Sequence, residues 1–219
     1  MGYPWIQLCG GALALLVSAC ADPLAIDNNA TIFIRQVQAA GADCSASPDP
    51  AAAIVVVGVV DPRYATSYRA RLLVGNQLVD PPDAVLLTRV DIVVADLTGA
   101  TLLERSYSTS AEIPATSSSS DVEYGIAVAA ILVDGDLAAL AAQMASPATV
   151  VVQFSLSGTS VAGVPVRTAP FHFPLRIAEL PCTETTGPAE PIRGVCDIGQ
   201  DVLLDCRCAQ SPIPAGCQL

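Results

Sequence analysis

Lysine and histidine are the side chains that this sequence most clearly lacks. It has no lysine and one histidine, His172, and its 10 basic residues stand against 21 acidic ones, which gives a net charge of −11. Nucleic-acid affinity comes mainly from clustered cations that neutralise phosphates, so we expect no nucleic-acid partner. Most metal centres and catalytic triads combine an imidazole with other groups, so a single histidine also argues against both.

Long apolar runs are missing as well. The apolar segment Gly10–Val17 is shorter than the roughly 20 residues that a membrane-spanning helix needs. It leads into Val17–Cys20, which resembles the bacterial lipobox, where signal peptidase II cleaves before a cysteine that carries diacylglycerol. We therefore expect residues 1–19 to be a lipoprotein signal peptide and Cys20 to anchor the chain to a membrane through its lipid.

The residue after Cys20 bears on location. In the lipoprotein family, Asp at this position tends to retain the protein at the inner membrane; this chain has Ala21 there, which favours the outer membrane of the cell envelope. Two alternatives stay open. Ordinary secretory cleavage after Ala21 would release a secreted or periplasmic protein that begins at Asp22, and the segment could also remain as an uncleaved membrane anchor.

Cysteine is abundant by contrast. Cys9 falls in the signal peptide and Cys20 takes the lipid, which leaves an even number that is typical of disulfides in an exported protein. These six are Cys44, Cys182, Cys196, Cys206, Cys208 and Cys217. If all are paired, at least one of the five in the tail must bond outside it, and Cys44 is the only candidate.

The connectivity of these cysteines stays open apart from the strained Cys206–Cys208 bond, which we exclude. The alternative to disulfides is a thiolate metal site. Zinc sites use paired C-x2–4-C knuckles, whereas the tail spacings are 13, 9, 1 and 8 residues. We therefore predict no metal and no cofactor.

From Thr31 to Ile177 short runs rich in Val, Ile, Leu and Thr alternate with turn residues, which is the pattern of β-strands. The predicted strands are Thr31–Gln38, Ile54–Val60, Ser67–Val74, Val90–Leu97, Thr101–Ser108, Val122–Val133, Thr149–Leu156 and Val164–Ile177. Asp96–Ala100 and Ser157–Thr159 predict hairpin turns. Asp136–Met144 predicts a short crossover helix that Asp136 could cap.

Many strands and almost no helix predict an all-β fold, an immunoglobulin- or fibronectin-like two-sheet sandwich with a disulfide-stapled, loop-rich C-terminal tail. The predicted organisation is a signal peptide (1–19), a lipidated tether (20–30), the sandwich (31–181) and a cysteine-rich tail (182–219). The first and last strands of such sandwiches often lie side by side and parallel. On that arrangement Cys44 and Cys182 leave at the same end, and we predict a bridge between them.

Few side chains are candidates for chemistry. His172 alternates with Phe171 and Phe173, so we expect it to face solvent from a strand, and Ser117–Ser120 reads as a loop. Asn29 begins a glycosylation sequon to which we assign no role. Asp197, Asp201 and Asp205 recur every four residues and predict a solvated acidic helix face; calcium loops place their ligands closer together. No catalytic residue is predicted.

Three stretches of the chain resemble a known group of proteins. They are Tyr68–Leu78, Phe173-Pro174 before the cysteine cluster, and Gly199–Asp201 inside it. These stretches resemble uncharacterised cysteine-rich lipoproteins of myxobacteria and related bacteria, a resemblance that implies an envelope setting and no particular activity.

The function we expect is a non-catalytic binding or structural module, anchored in the outer membrane, whose partner is an envelope protein or polysaccharide. The first alternative is an envelope hydrolase, which would need a cleft with converging carboxylates. The second is a thiol metal or redox protein that uses Cys206 and Cys208.

Overall fold

The computed structural model describes residues 31–41, 43–78, 83–118, 121–179, 196–197 and 199–201. The strands in these ranges are β1 Ile32–Gln38, β2 Gly58–Val60, β3 Tyr68–Asn76, β4 Val85–Ala95, β5 Thr101–Ile113, β6 Glu123–Ile131, β7 Ala148–Ser160, β8 Pro165–Arg167 and β9 Phe171–Ile177, and the helix is α1 Asp136–Gln143. The predicted signal peptide, the tether with Cys20, and Cys182, Cys206, Cys208 and Cys217 lie outside the described residues.

The strands form two sheets. One has three strands in the order β1-β3-β6, and the other has the order β2-β9-β7-β4-β5, with β8 paired to β7. Neighbouring strands are antiparallel except β2 and β9, which are parallel. The predicted all-β class with two sheets and one short helix is therefore confirmed.

The two sheets share one hydrophobic core. On β3, Tyr68, Leu72 and Val74 face this core because alternate side chains of a strand point to the same side. The ring of Tyr68 meets the ring of Phe173 on β9, with centroids 5.8 Å apart, so the contact crosses from one sheet to the other. Full burial of a side chain of this size contributes about 2 kcal/mol.

Most predicted strands are present. The Asp96–Ala100 hairpin is also confirmed, and its Asp96 carboxylate accepts hydrogen bonds from the backbone N–H of Thr98 and Ala100. Three predictions differ from the structure. The hairpin expected at Ser157–Thr159 is wrong, because β7 continues through these residues to Ser160. The last predicted strand is broken into β8 and β9, and the second predicted strand shrinks to β2.

The predicted crossover helix is α1. The prediction that Asp136 caps it is wrong: the N-cap is Gly135, and Asp136 is the first helical residue. The Asp136 carboxylate instead accepts a hydrogen bond from Arg105 on β5. No helix within the described residues is long and apolar enough to cross a membrane.

Between β1 and β2 the chain passes from the first sheet to the second through residues 39–57. Residues 53–55, near the end of this crossing, return to the end of β1: Ala39 N–H donates to the carbonyl of Ala53, and Val55 N–H donates to the carbonyl of Val37. β1 itself ends opposite Arg71 of β3, and the first residues of β3 extend beyond it without a strand on that side. This gap is where the candidate site forms.

Candidate functional site

A cleft of about 510 Å³ lies between the crossing segment, the start of β3 and the residues around Cys196. Its described lining consists of Gln38, Ala39, Ala40, Ile54, Val55, Val56, Val57, Val59, Tyr68, Arg69, Arg71, Cys196, Asp197, Gln200 and Asp201. The volume is in the range of about 300–1,000 Å³ that ligand sites occupy.

A disulfide between Cys44 and Cys196 holds the C-terminal side of the cleft, with the two Cα atoms 5.0 Å apart. The predicted Cys44–Cys182 bridge is therefore wrong. That prediction placed the first and last strands side by side, whereas β1 and β9 lie in different sheets and β9 adjoins β2. Cys44 remains the cysteine that bonds to the tail, as expected.

Residues 199–201 extend the edge of the second sheet beyond β2. Gln200 forms an isolated antiparallel bridge with Val60, and the Asp201 N–H donates to the Val59 carbonyl at 2.9 Å. The Val59 N–H in turn donates to Asp201 Oδ1 at 2.6 Å. Backbone groups of a short edge strand that would otherwise need water are satisfied in this way.

The Gln200 side chain fills the position that β1 has left empty. Its Oε1 accepts a hydrogen bond from the Arg69 N–H, and its Nε2 donates to the Arg69 carbonyl, both at 2.7 Å. A single amide side chain thus imitates the pairing of a neighbouring strand. Sequence reasoning missed this role, since nothing in a lone glutamine indicates it.

Asp197 neutralises the two arginines that alternate on β3. Its Oδ2 accepts a 2.8 Å hydrogen bond from Arg71 Nη2, and its Oδ1 lies 3.3 Å from Arg69 Nη1. The side chains of Arg71 and Asp197 are 7% and 17% exposed, so this pair is largely desolvated. Arg69 and Arg71 therefore lie on the same face of β3.

Asp201 joins the cleft to the core. Its Oδ2 accepts a 2.8 Å hydrogen bond from the hydroxyl of Tyr68. Desolvation raises the pKa of the Asp201 carboxyl, and burial also raises the pKa of the Tyr68 phenol. The predicted acidic helix face is therefore wrong: Asp197 and Asp201 belong to no helix, and both are bonded to other parts of the fold, although Asp201 as a residue is still exposed. Asp205 lies outside the described residues.

Converging carboxylates in this cleft would be the mark of a hydrolase. Asp197 and Asp201 both line it, yet each of their four oxygens already has a protein partner, namely a guanidinium, a backbone N–H or a phenol. These contacts attach Asp197 to β3, and Asp201 to both β2 and β3. Among the described residues no group of three or more His, Cys, Asp or Glu could hold a metal ion.

Among the remaining candidates, His172, Ser117 and Ser118 do not belong to the described lining of the cleft. His172 is exposed on β9 beside the buried Phe173, as predicted. Ser117 and Ser118 form a bend after β5, and Ser119 and Ser120 lie outside the described residues, as does Asn29.

The aliphatic lining of the cleft lies within a strand that the sequence predicts. Ile54–Val57 was predicted as strand because it is β-branched, but only β2 after it pairs with β9. Ile54, Val56 and Val57 are exposed instead.

No family model and no curated protein matches this chain. One solved structure that does match is the CooA pilin subunit from enterotoxigenic Escherichia coli, at 13% sequence identity and a TM-score of 0.25, over 69% of this chain and 99% of that chain. Similarity this low carries no argument, so the functional inference depends on the residues of the cleft.

Proposed function

We propose that this protein is an envelope lipoprotein, anchored in the outer membrane through lipidated Cys20, that acts as a non-catalytic binding module. The lipobox-like Val17–Cys20 supports the anchor, and the resemblance to myxobacterial lipoproteins is part of the same proposal. The Cys44–Cys196 disulfide supports export, because disulfides persist in oxidising compartments.

We further propose that the two sheets form an immunoglobulin- or fibronectin-like sandwich. Such domains place strands A, B and E in one sheet and G, F and C in the other, with C′ added beside C in the variable type. The second sheet has one further strand, β2, beside β9; without it, the orders β1-β3-β6 and β9-β7-β4-β5 match these sequences of strands if β1 is A, β3 is B, β4 is C, β5 is C′, β6 is E, β7 is F and β9 is G. Domains of this architecture serve many unrelated functions, so the function must be argued from the site.

The observation that carries the binding function is the cleft itself, with its C-terminal wall covalently held by the Cys44–Cys196 bridge. A fixed wall keeps the lining residues ordered before a ligand arrives, which lowers the entropy cost of binding. The contacts of Asp197 with Arg71, and of Asp201 with Tyr68 and Val59, support a positioning role for these two carboxylates in the wall of the cleft.

Membrane fractionation of Cys20→Ser tests the anchor. Cys9→Ser is the matched control, since it makes the same change at the cysteine inside the predicted signal peptide. We expect the unmodified protein and Cys9→Ser to incorporate alkyne-labelled palmitate and to sediment with the outer membrane, and Cys20→Ser to lose both properties. An unacylated mature chain that begins at Asp22, or membrane retention of Cys20→Ser, would refute the lipoprotein proposal.

A further inference from the structure

We propose that the cleft binds an extended peptide segment that carries aliphatic side chains. This inference rests on the binding function proposed above and names its ligand class. It is drawn from three properties of the lining: an exposed aliphatic wall, a buried acceptor without a donor, and guanidinium groups with spare donors.

The aliphatic wall is the segment 54–57. Ile54, Val56 and Val57 are 51%, 69% and 47% exposed and line the cleft together with Val55. Contiguous exposed apolar side chains mark interaction sites. The backbone N–H and C=O of Val56 make no hydrogen bond with any described residue, so this wall offers backbone groups to a ligand as well as side chains.

Gln38 supplies the unpaired acceptor. Its side chain is almost completely buried, at 2% exposed, and its Nε2 donates to the carbonyl of Asp49 at 2.8 Å. Its Oε1 has no hydrogen-bond partner within the described part of the chain. A buried oxygen without a donor is unfavourable. Because Oε1 is closed to solvent, a ligand N–H reaches it only when the Gln38 side chain turns toward the cleft, and a ligand that does so gains a hydrogen bond that the described residues do not make.

Arg71 lies directly opposite Gln38 in the β1–β3 ladder and supplies the spare donors. Its guanidinium makes one hydrogen bond within the described residues, to Asp197, and the Arg69 guanidinium shares that same carboxylate at 3.3 Å. A guanidinium has five N–H donors. A ligand that matches the polar side of the cleft therefore carries an oxygen acceptor and an N–H donor side by side.

An extended peptide complements all three properties of the lining. Its carbonyl oxygen accepts from a guanidinium, its N–H donates to Gln38 Oε1, and its aliphatic side chains cover Ile54, Val56 and Val57 in the way extended peptides use alternate pockets. A fatty acid provides no donor for Gln38. A sugar is usually held against an aromatic face, and the one aromatic residue of the described lining, Tyr68, is buried against Phe173.

Isothermal titration of the oxidised, membrane-purified protein tests this proposal. The probe is acetyl-Gly-Val-Leu-Val-Gly-amide, and the comparison ligands are acetyl-Gly-Ser-Ser-Ser-Gly-amide, sodium octanoate and the tetramer of N-acetylglucosamine. We expect saturable binding of the aliphatic peptide with a Kd of about 1 mM or tighter, and no saturable binding of the other three.

Two variants locate the binding. Val56→Asp places a charge on the aliphatic wall, and its matched control is Val161→Asp, the same change at a residue that is 76% exposed after β7 and does not belong to the described lining. We expect Val56→Asp to weaken binding about tenfold and Val161→Asp to leave it unchanged. Gln38→Leu, which removes the unpaired oxygen, should weaken binding about fivefold.

The outcomes separate the ligand class from the binding function. Equal binding of the serine peptide, or an aliphatic peptide that binds Val56→Asp as well as the unmodified protein, overturns the peptide site. Binding of the sugar tetramer or octanoate in its place, with sensitivity to Val56→Asp, also overturns the peptide class but leaves the cleft as a binding site. If none of the four ligands binds, the peptide proposal fails, whatever the fractionation of Cys20→Ser shows about the anchor.

Discussion

Replacing Cys44 and Cys196 together by alanine removes the covalent link between the crossing segment and Cys196. The bonded cysteines are 152 residues apart, and in the chain-entropy model a loop of this length restricts the unfolded chain enough to stabilise the fold by about 5 kcal/mol. Whole domains are stable by about 5–15 kcal/mol, so the bridge is expected to supply a large share of the total.

Urea denaturation followed by far-ultraviolet circular dichroism measures this loss. With a slope of about 2 kcal/mol per molar urea, a loss of about 5 kcal/mol lowers the midpoint by about 2.5 M. Substituting both cysteines leaves no free thiol at either position to exchange with the tail cysteines. If the midpoint of the double variant stays within about 0.3 M of the unmodified protein, the bridge does not stabilise the fold and the reasoning is refuted.

Three further predictions concern single side chains. Asp197→Ala should cost about 3 kcal/mol in urea denaturation, because it leaves the desolvated Arg71 guanidinium without its partner, whereas the combined Arg71→Met and Asp197→Leu variant should cost clearly less. Gly158→Ala should lose about 3 kcal/mol or more in thermal denaturation, since its Cβ would overlap the backbone of β4, while Gly75→Ala, which meets only side chains, should lose less. Burial raises the pKa of the Asp201 carboxyl above its ordinary 3.8. The stability contributed by the protonated carboxyl is therefore present below that value and is lost as the pH rises through the folded-state pKa. Carboxyl NMR titration and unfolding at several pH values should show this pH dependence, and Asp201→Asn should remove it.

The strands could be predicted because their cause is local. Alternation along β3 buries Tyr68 and exposes Arg69, and alternation along β9 buries Phe173 and exposes His172. Asp96–Ala100 predicted a hairpin because Gly99 is free to take a positive φ, and its φ is 89°; the Asp96 carboxylate also satisfies N–H groups of the turn itself. Such features depend on neighbours within a few residues, which the sequence displays directly.

The candidate site could not be predicted in the same way, because it depends on pairings across more than a hundred residues. Whether Cys44 meets Cys182 or Cys196 depends on which strand borders β2, and Gln200 acquires its role only because β1 ends short of Arg69. The four-residue spacing of Asp197 and Asp201 suggested a helix, but their contacts with β3 and β2 determine the local conformation instead.

A peptide map under non-reducing conditions reads the bridge directly. Trypsin cuts after arginine in a chain without lysine, and the resulting peptides separate the relevant cysteines. Peptide 36–63 carries Cys44, peptide 177–193 carries Cys182, and peptide 194–207 carries Cys196 and Cys206. A second digestion before aspartate separates the last two, since Asp201 and Asp205 lie between them.

The most direct test of a cleft held by the Cys44–Cys196 disulfide is this peptide map on protein purified from native membranes. We expect the Cys44 peptide to be linked by a disulfide to the fragment that holds Cys196. A link from Cys44 to Cys182, or a free thiol at Cys44, would contradict the arrangement on which the cleft and its proposed ligand depend.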